Sequence, residues 1–154
     1  MPPALEPLDA QIMDAIEARL SSTIVSGVEY WTDGPEEISQ SPINYFDATC
    51  FPTYNVVQGD WRTRQQPIKM KTVFMEVGIV VIVNDDDPKT VLRRHRHDII
   101  KAINQDETFG GLVVDVDLVG SEIIDLKPAH PLGVLVMNYD VHFRYHRLDP
   151  TLVG

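Results

Sequence analysis

Two stretches of this chain alternate so regularly that they constrain everything around them. Between Ile68 and Val83 the odd positions Val73, Met75, Val77, Ile79, Val81 and Val83 are apolar; between Gly133 and Arg147 the row Leu135, Met137, Tyr139, Val141, Phe143 and Tyr145 repeats the pattern. A period of two marks a strand with one face in a core. The opposite rows differ. Thr72, Phe74, Glu76, Val80 and Ile82 are mixed, whereas Asn138, Asp140, His142, Arg144 and His146 are polar. Fifteen residues of strand span about 50 Å, and a compact domain of this size is roughly 40 Å across. Both strands therefore have to bend at bulges or project as a two-stranded arm, whose edges and apolar rows a neighbouring subunit would cover. Gly78, in mid-strand, marks a bulge or a close backbone approach.

Helical periodicity appears twice. Leu8, Ile12, Ile16 and Leu20, with Met13 beside them, predict a helix over Leu8–Leu20 that starts at Pro7 and Asp9 and loosens at Ser21-Ser22-Thr23. The second helix opens at Asp85-Asp86-Asp87-Pro88. Asp87 can cap it, Pro88 fits the first helical position, and the acidic run suits the positive end of the helix dipole. Its inward stripe is Leu92, His95, Ile99, Ala102 and Ile103, flanked by Val91 and Ile100.

Ile24–Thr32 reads as a strand on Val28, Tyr30 and Trp31. Leu112–Val119 alternates through Leu112, Val114, Val116 and Leu118; Gly120-Ser121 is a turn or bulge, Glu122–Leu126 a short strand and Lys127–Pro131 a loop. Residues 33–67 form a long irregular insertion punctuated by Gly34-Pro35, Ser41-Pro42, Phe51-Pro52 and Gln66-Pro67, with a short edge strand near Thr49–Val57, since Pro52 does not fit a central one. That insertion carries Tyr45, Phe46 and Trp61 and reads either as a binding segment or as a loop folded over the domain's own core. The sum is one α+β domain over residues 1–154, a mostly antiparallel sheet with two helices on one face and residues 1–7 as an extended tail.

Composition excludes several classes. A single cysteine, Cys50, rules out an internal disulfide and cysteine-based zinc sites. No apolar run reaches the roughly 18 residues of a membrane span, and Met1–Glu6 lacks the start of a secretion signal; a soluble chain with no membrane partner, made in a cytoplasm, is expected. Asn84 with Asp85–Asp87 lacks calcium-loop spacing. His95 and His97 point about 200° apart on a helix, and His142 and His146 lie about 13 Å apart on a strand, so neither pair chelates one ion. No nucleophile elbow, phosphate loop or dinucleotide fingerprint is present. The expectation is a non-enzyme with no cofactor; the rival is a small metal-dependent hydrolase using Asp85–Asp87 and a histidine.

Charge is unevenly divided. The chain's formal net charge is −10, yet residues 88–104 carry +4, from Lys89, Arg93, Arg94, Arg96 and Lys101 against Asp98, leaving −14 for the other 137 residues. Arg93, His97 and Lys101 line up at i, i+4 and i+8, with Arg94 and Arg96 beside them. The face reads either as a solvated helix surface or as one half of a charge-matched, head-to-tail contact between copies. The acidic remainder argues against general nucleic-acid binding.

The run Ile99–Ile103, followed by Asp106-Glu107-Thr108-Phe109-Gly110-Gly111-Leu112-Val113-Val114-Asp115-Val116, resembles tail terminator (tail completion) proteins of tailed bacteriophages, in which a helix ends in a D-x-T-hydrophobic-G-G element and runs into a strand. The close from Pro131 through Tyr145 resembles that family's last strand. The resemblance implies a structural virion protein at the tail–neck junction, assembled in the host cytoplasm as a homo-oligomer, a hexameric ring. Such a ring caps the tail tube protein, meets a neck or connector protein or a sheath protein, and lets DNA through its channel without specific binding. A head-completion or neck protein is the alternative in the same setting. Gly110 and Gly111 then form a structural turn. Arg93, Arg94, Arg96, His97 and Lys101, with Tyr45, Phe46 and Trp61, are the expected subunit or partner contacts.

Overall fold

A computed structural model describes residues 5–64 and 70–154. The two alternating stretches are its central ladder. β3 (Met70–Asn84) and β5 (Leu132–His146) pair antiparallel along their whole length, from Met70 against His146 to Asn84 against Leu132. β2 (Thr53–Arg64) runs antiparallel along the other edge of β3, and β1 (Glu37–Ser39) adds parallel to the first residues of β2. β4 (Asp115–Asp125) pairs with the first two thirds of β5, and β6 (Asp149–Val153) takes the rest of that edge. The strand order is β1-β2-β3-β5-β4.

Helices α1 (Leu8–Thr23) and α2 (Pro88–Asn104) pack on one face. Leu8, Ile12, Met13, Ile16 and Leu20 of α1 and Leu92, His95, Ile99, Ala102 and Ile103 of α2 are buried. Apart from the polar His95, they form one apolar cluster with Val73 to Val83 of β3 and Leu135 to Phe143 of β5. This is the α+β architecture that the two periodicities predict. Among the described residues, no helix is long and apolar enough to cross a membrane. Met1–Ala4 of the expected tail, and Gln65–Lys69 at the junction of insertion and strand, lie outside the described residues.

Four local expectations change. Ile24–Thr32 is a run of turns rather than a strand; Val28 and Trp31 face solvent, and the Asp98 carboxylate holds the backbone away from any sheet. The insertion over residues 33–67 is far from structureless: besides β1 and a 3₁₀ turn at Tyr45–Asp47 it supplies the twelve-residue β2, with Pro52 just outside the strand. Segment 112–126 holds one bulged strand, β4, which starts only at Asp115, and its alternation is shifted. Val113 and Val116 are buried while Val114, Leu118 and Val119 are exposed. The turn through Phe109, Gly110 and Gly111, all at positive φ, and the bulge between Leu118 and Gly120 each reset the phase.

The bulges also answer the length problem. Neither lies at Gly78, where an added Cβ would meet nothing closer than 3.9 Å. They lie in the flanking strands, between Gln58 and Trp61 of β2 and between Leu118 and Gly120 of β4, level with Val77 and Tyr139. The outer strands thus gain the residues that let the unbulged central ladder curl. The inner rows stay buried down to Val73 and Phe143, so the overhang falls on β2, whose residues from Gln58 to Arg64 are exposed.

Gly133 shows how closely α2 sits on the sheet. A Cβ there would lie 2.5 Å from Pro88 Cβ and 3.0 Å from Leu92 Cδ1. Gly133→Ala is expected to push the start of α2 outward and cost about 1–3 kcal/mol, the usual range for overpacking. Thermal unfolding monitored by circular dichroism measures it, and Gly120→Ala, whose Cβ meets nothing within 4 Å, is the control.

Candidate functional site

The basic face of α2 is largely spent on the fold itself. The Arg94 guanidinium lies 5.3 Å over the Trp31 ring; Lys101 Nζ donates to the Glu29 carbonyl at 2.9 Å and sits 5.5 Å over the Tyr30 ring. His97 Nδ1 is 3.1 Å from an Asp98 oxygen. These contacts fasten residues 29–31 against the helix around a cleft of about 330 Å³ lined by Gly27–Trp31, His97 and Lys101. Arg96 turns to the other side and donates to Ser121 Oγ of β4 at 3.1 Å. Arg93, Arg94 and His97 remain exposed.

Under that face lies a buried polar cluster. Asp98 is fully buried and its two oxygens accept from Trp31 N at 3.1 Å, Thr32 N at 2.8 Å and Thr32 Oγ1 at 2.7 Å. A buried carboxylate needs such donors, and here they are the backbone of the chain it pins. Beside it, Tyr54 Oη and His95 Nδ1 are 2.6 Å apart. Burial lowers the His95 imidazole from 6.5 to about 4, against the pull of Asp98, and raises the Tyr54 phenol above its usual range. The hydroxyl therefore donates and a neutral imidazole accepts. His95 is a core residue, as its place on the apolar stripe implies.

Gly110 and Gly111 form a turn at positive φ, as expected. Asp106 holds it by accepting from Thr108 N, Thr108 Oγ1 and Gly110 N, which keeps its carboxyl below the usual carboxylate range, chiefly through the Thr108 hydroxyl. Arg19 of α1 closes the end of α2. It donates to the carbonyls of Ala102, Ile103 and Asp106 and covers the Phe109 ring at 4.2 Å. At the other end Asp87 caps α2 through Thr90, and Asp85 Oδ1 accepts from Asp87 N at 2.9 Å.

The aromatic candidates are not brought together. Tyr45 and Phe46 sit in the 3₁₀ turn before β2, where Phe46 is exposed and its ring lies 4.7 Å from His130, just before β5. Trp61 lies at the far end of β5, edge-on to Phe143 at 5.7 Å and near Tyr145 at 6.4 Å.

The sheet face turned away from the helices holds what sequence reasoning missed. Four rungs cross it. Gly78 and Asn138 floor a trough of about 380 Å³ at the bulges. Glu76, Asp140 and Asp117 form an acidic rung. Beyond it stand Arg62, Phe74 and His142, then Arg64, Thr72 and Arg144. Phe74 and His142 stack at 4.6 Å, Arg64 lies 5.6 Å from the Phe74 ring, and Arg62 pairs with Asp140 at 3.0 Å. The polar row of the last strand was the available signal for this face; that Arg62 and Arg64 join it required knowing that β2 exists.

Compared with known proteins, the chain matches no family model and no curated sequence. Among the described residues, no group of three or more histidine, cysteine, aspartate or glutamate side chains could hold a metal ion.

The His95 environment predicts a pH dependence. A folded value near 4 below an unfolded value near 6.5 means that only the unfolded chain takes up the proton as pH falls between them. Stability is full above pH 6.5 and should be about 2 kcal/mol lower by pH 5 on this account. In the double variant His95→Leu/Tyr54→Phe, which leaves no hydroxyl unpaired, denaturant unfolding between pH 8 and pH 5 should lose this slope.

Proposed function

We propose that this chain is a ring-forming structural subunit that caps the tail tube of a tailed bacteriophage, ends tube polymerisation and joins tail to neck. The observation that carries the reading is the sheet itself. One face is closed by two helices, while the other, together with the edge of β2 beyond Asn55, stays open and bears both signs of charge. On this reading a second subunit complements the open, charged face. The resemblance of Asp106–Val116 and of the final strand to tail terminators supplies the setting, and the element order, a leading helix and then strands around α2, agrees with it.

In this role the exposed Arg93 and Arg94 meet acidic surface on a neighbouring copy or on the neck, and the acidic remainder of the chain repels DNA passing through the channel, so that it slides without sticking. Tyr45 and Phe46, at the opposite end of β5 from Trp61, meet a different partner from it, tube or connector.

Arg93→Glu with Arg94→Glu should leave the circular dichroism spectrum unchanged and shift the light-scattering mass of the purified protein at low salt from a ring toward a monomer. Wild-type protein added to polymerising tail tube protein should limit tube length in electron micrographs. A strict monomer that leaves tube length unaltered would count against the reading.

A further inference from the structure

The outer face of β2, β3 and β5 at the end near Thr72 has the makings of a seat for an anionic group. Arg62, Arg64 and Arg144, with His142, come from three adjacent strands and point the same way, because residues directly opposite in an antiparallel ladder share a face. A concavity of about 440 Å³ lies there, lined by Arg62, Thr63, Arg64, Phe74 and Asp140. Three polar atoms of this face have no hydrogen-bond partner among the described residues: Thr72 Oγ1, His142 Nε2 and Arg144 Nε. Thr72 is only 3% exposed, so its hydroxyl is not satisfied by open solvent. Unpartnered buried groups carry a free-energy cost until something supplies the missing partner.

The chain also carries a matching anion. Asp85, Asp86 and Asp87 are all exposed and follow the last residue of β3. Thirteen residue steps separate Thr72 from Asp85, about 40 Å along the strand, several Debye lengths at physiological salt. The two patches lie at opposite ends of a rigid ladder and cannot meet within one copy. We propose that this end of the outer sheet face seats the Asp85-Asp86-Asp87 turn of a second copy of this chain. The inference rests on the self-association read above and assigns it a surface distinct from the basic face of α2. Such a contact can be made reciprocally, in a two-fold pair, or head-to-tail; the ring read above takes the head-to-tail form.

Nucleic acid fits the face less well. The rung of Glu76, Asp140 and Asp117 repels a phosphate backbone laid across the sheet, while a short acidic turn meets only Asp140 of that rung, whose charge Arg62 already offsets at 3.0 Å. The chain's own net charge of −10 opposes DNA as well.

The test is a charge swap in the full chain, read by light scattering and sedimentation at low salt, with circular dichroism melts to verify folding. Arg62→Glu/Arg64→Glu and, separately, Asp85→Lys/Asp86→Lys should each weaken self-association by about tenfold or more; Asp87, the cap of α2, is left untouched. An equimolar mixture of the two variants should restore assembly, because each seat then faces a turn of opposite sign in the other variant. Assembly that survives either pair of substitutions, or a mixture that stays dissociated while both variants are folded, overturns the seat alone. A wild-type chain that stays monomeric overturns the seat and the self-association beneath it. Wild-type binding to a short DNA duplex that is lost in Arg62→Glu/Arg64→Glu assigns the face to phosphate and overturns the proposal in its turn.

Discussion

Everything in this molecule is arranged around the unbroken fifteen-residue pairing of β3 with β5. Two helices of about 25 Å each can close one side of a ladder about 50 Å long, and they do: the inner rows are buried from Val73 to Val83 and from Leu135 to Phe143. Among the described residues, the other side is covered only by the loop before β2, at one end. There Asn55 Nδ2 donates to the carbonyls of Ser39 and Ser41, and Thr53, Ile82 and Val134 are buried. The rest of that side must be polar to stay in water, which is why the outer row of β5 reads Asn138, Asp140, His142 and Arg144. The exposed half of β2 is guarded in the same way, with Asp60, Arg62 and Arg64 and a bulge along an edge that would otherwise invite indiscriminate strand pairing.

The carboxylates show a second economy. Asp33, Asp87, Asp106 and Asp149 each accept from a nearby serine or threonine hydroxyl and from the same residue's backbone N–H, with Ser26, Thr90, Thr108 and Thr151 as the donors. Each carboxyl is held below its usual range by that pairing, the hydroxyl first. Turns and helix ends are thus closed with negative charge on the surface. Asp98 applies the same chemistry inside, where it replaces a strand with a pinned loop. Part of the chain's acidity is therefore structural, a by-product of how its turns are fastened.

Periodicity made legible whatever it governs directly: both helices, the two long strands and their inward rows, the Asp87–Pro88 start and the positive-φ glycine turn. What it could not reach were features decided by a distant partner. Ile24–Thr32 has strand-forming residues, yet Asp98, some 66 positions away, claims the backbone donors of Trp31 and Thr32. Residues 53–64 look irregular because Gly59, Asp60 and the preceding Pro52 interrupt them, but the edge of β3 supplies the missing order and the bulge absorbs the irregularity. The alternation of β4 failed for a related reason, since two phase resets lie within a dozen residues. Of the site residues, the basic face of α2 stood out in sequence, but Arg94, Arg96 and Lys101 on it make contacts within the fold.

The division of charge that the sequence displays along the chain has a counterpart along the sheet. The Thr72 end of the outer face gathers Arg62, Arg64 and Arg144, and the Asn84 end leads into three aspartates. A flexible chain could fold such opposites onto each other. A fully paired ladder cannot, because bringing its ends together would require breaking the hydrogen bonds that define it. On the proposed reading the attraction between the two ends is satisfied between copies, and its head-to-tail form, unlike a two-fold pair, sets a direction of assembly. Whether it closes depends on the angle between successive copies, which is fixed by the curl of the sheet, and the curl is fixed in turn by bulges in β2 and β4. On this view the two extra residues that those bulges insert relieve the length of the central strands and also set the geometry of any ring the chain can build.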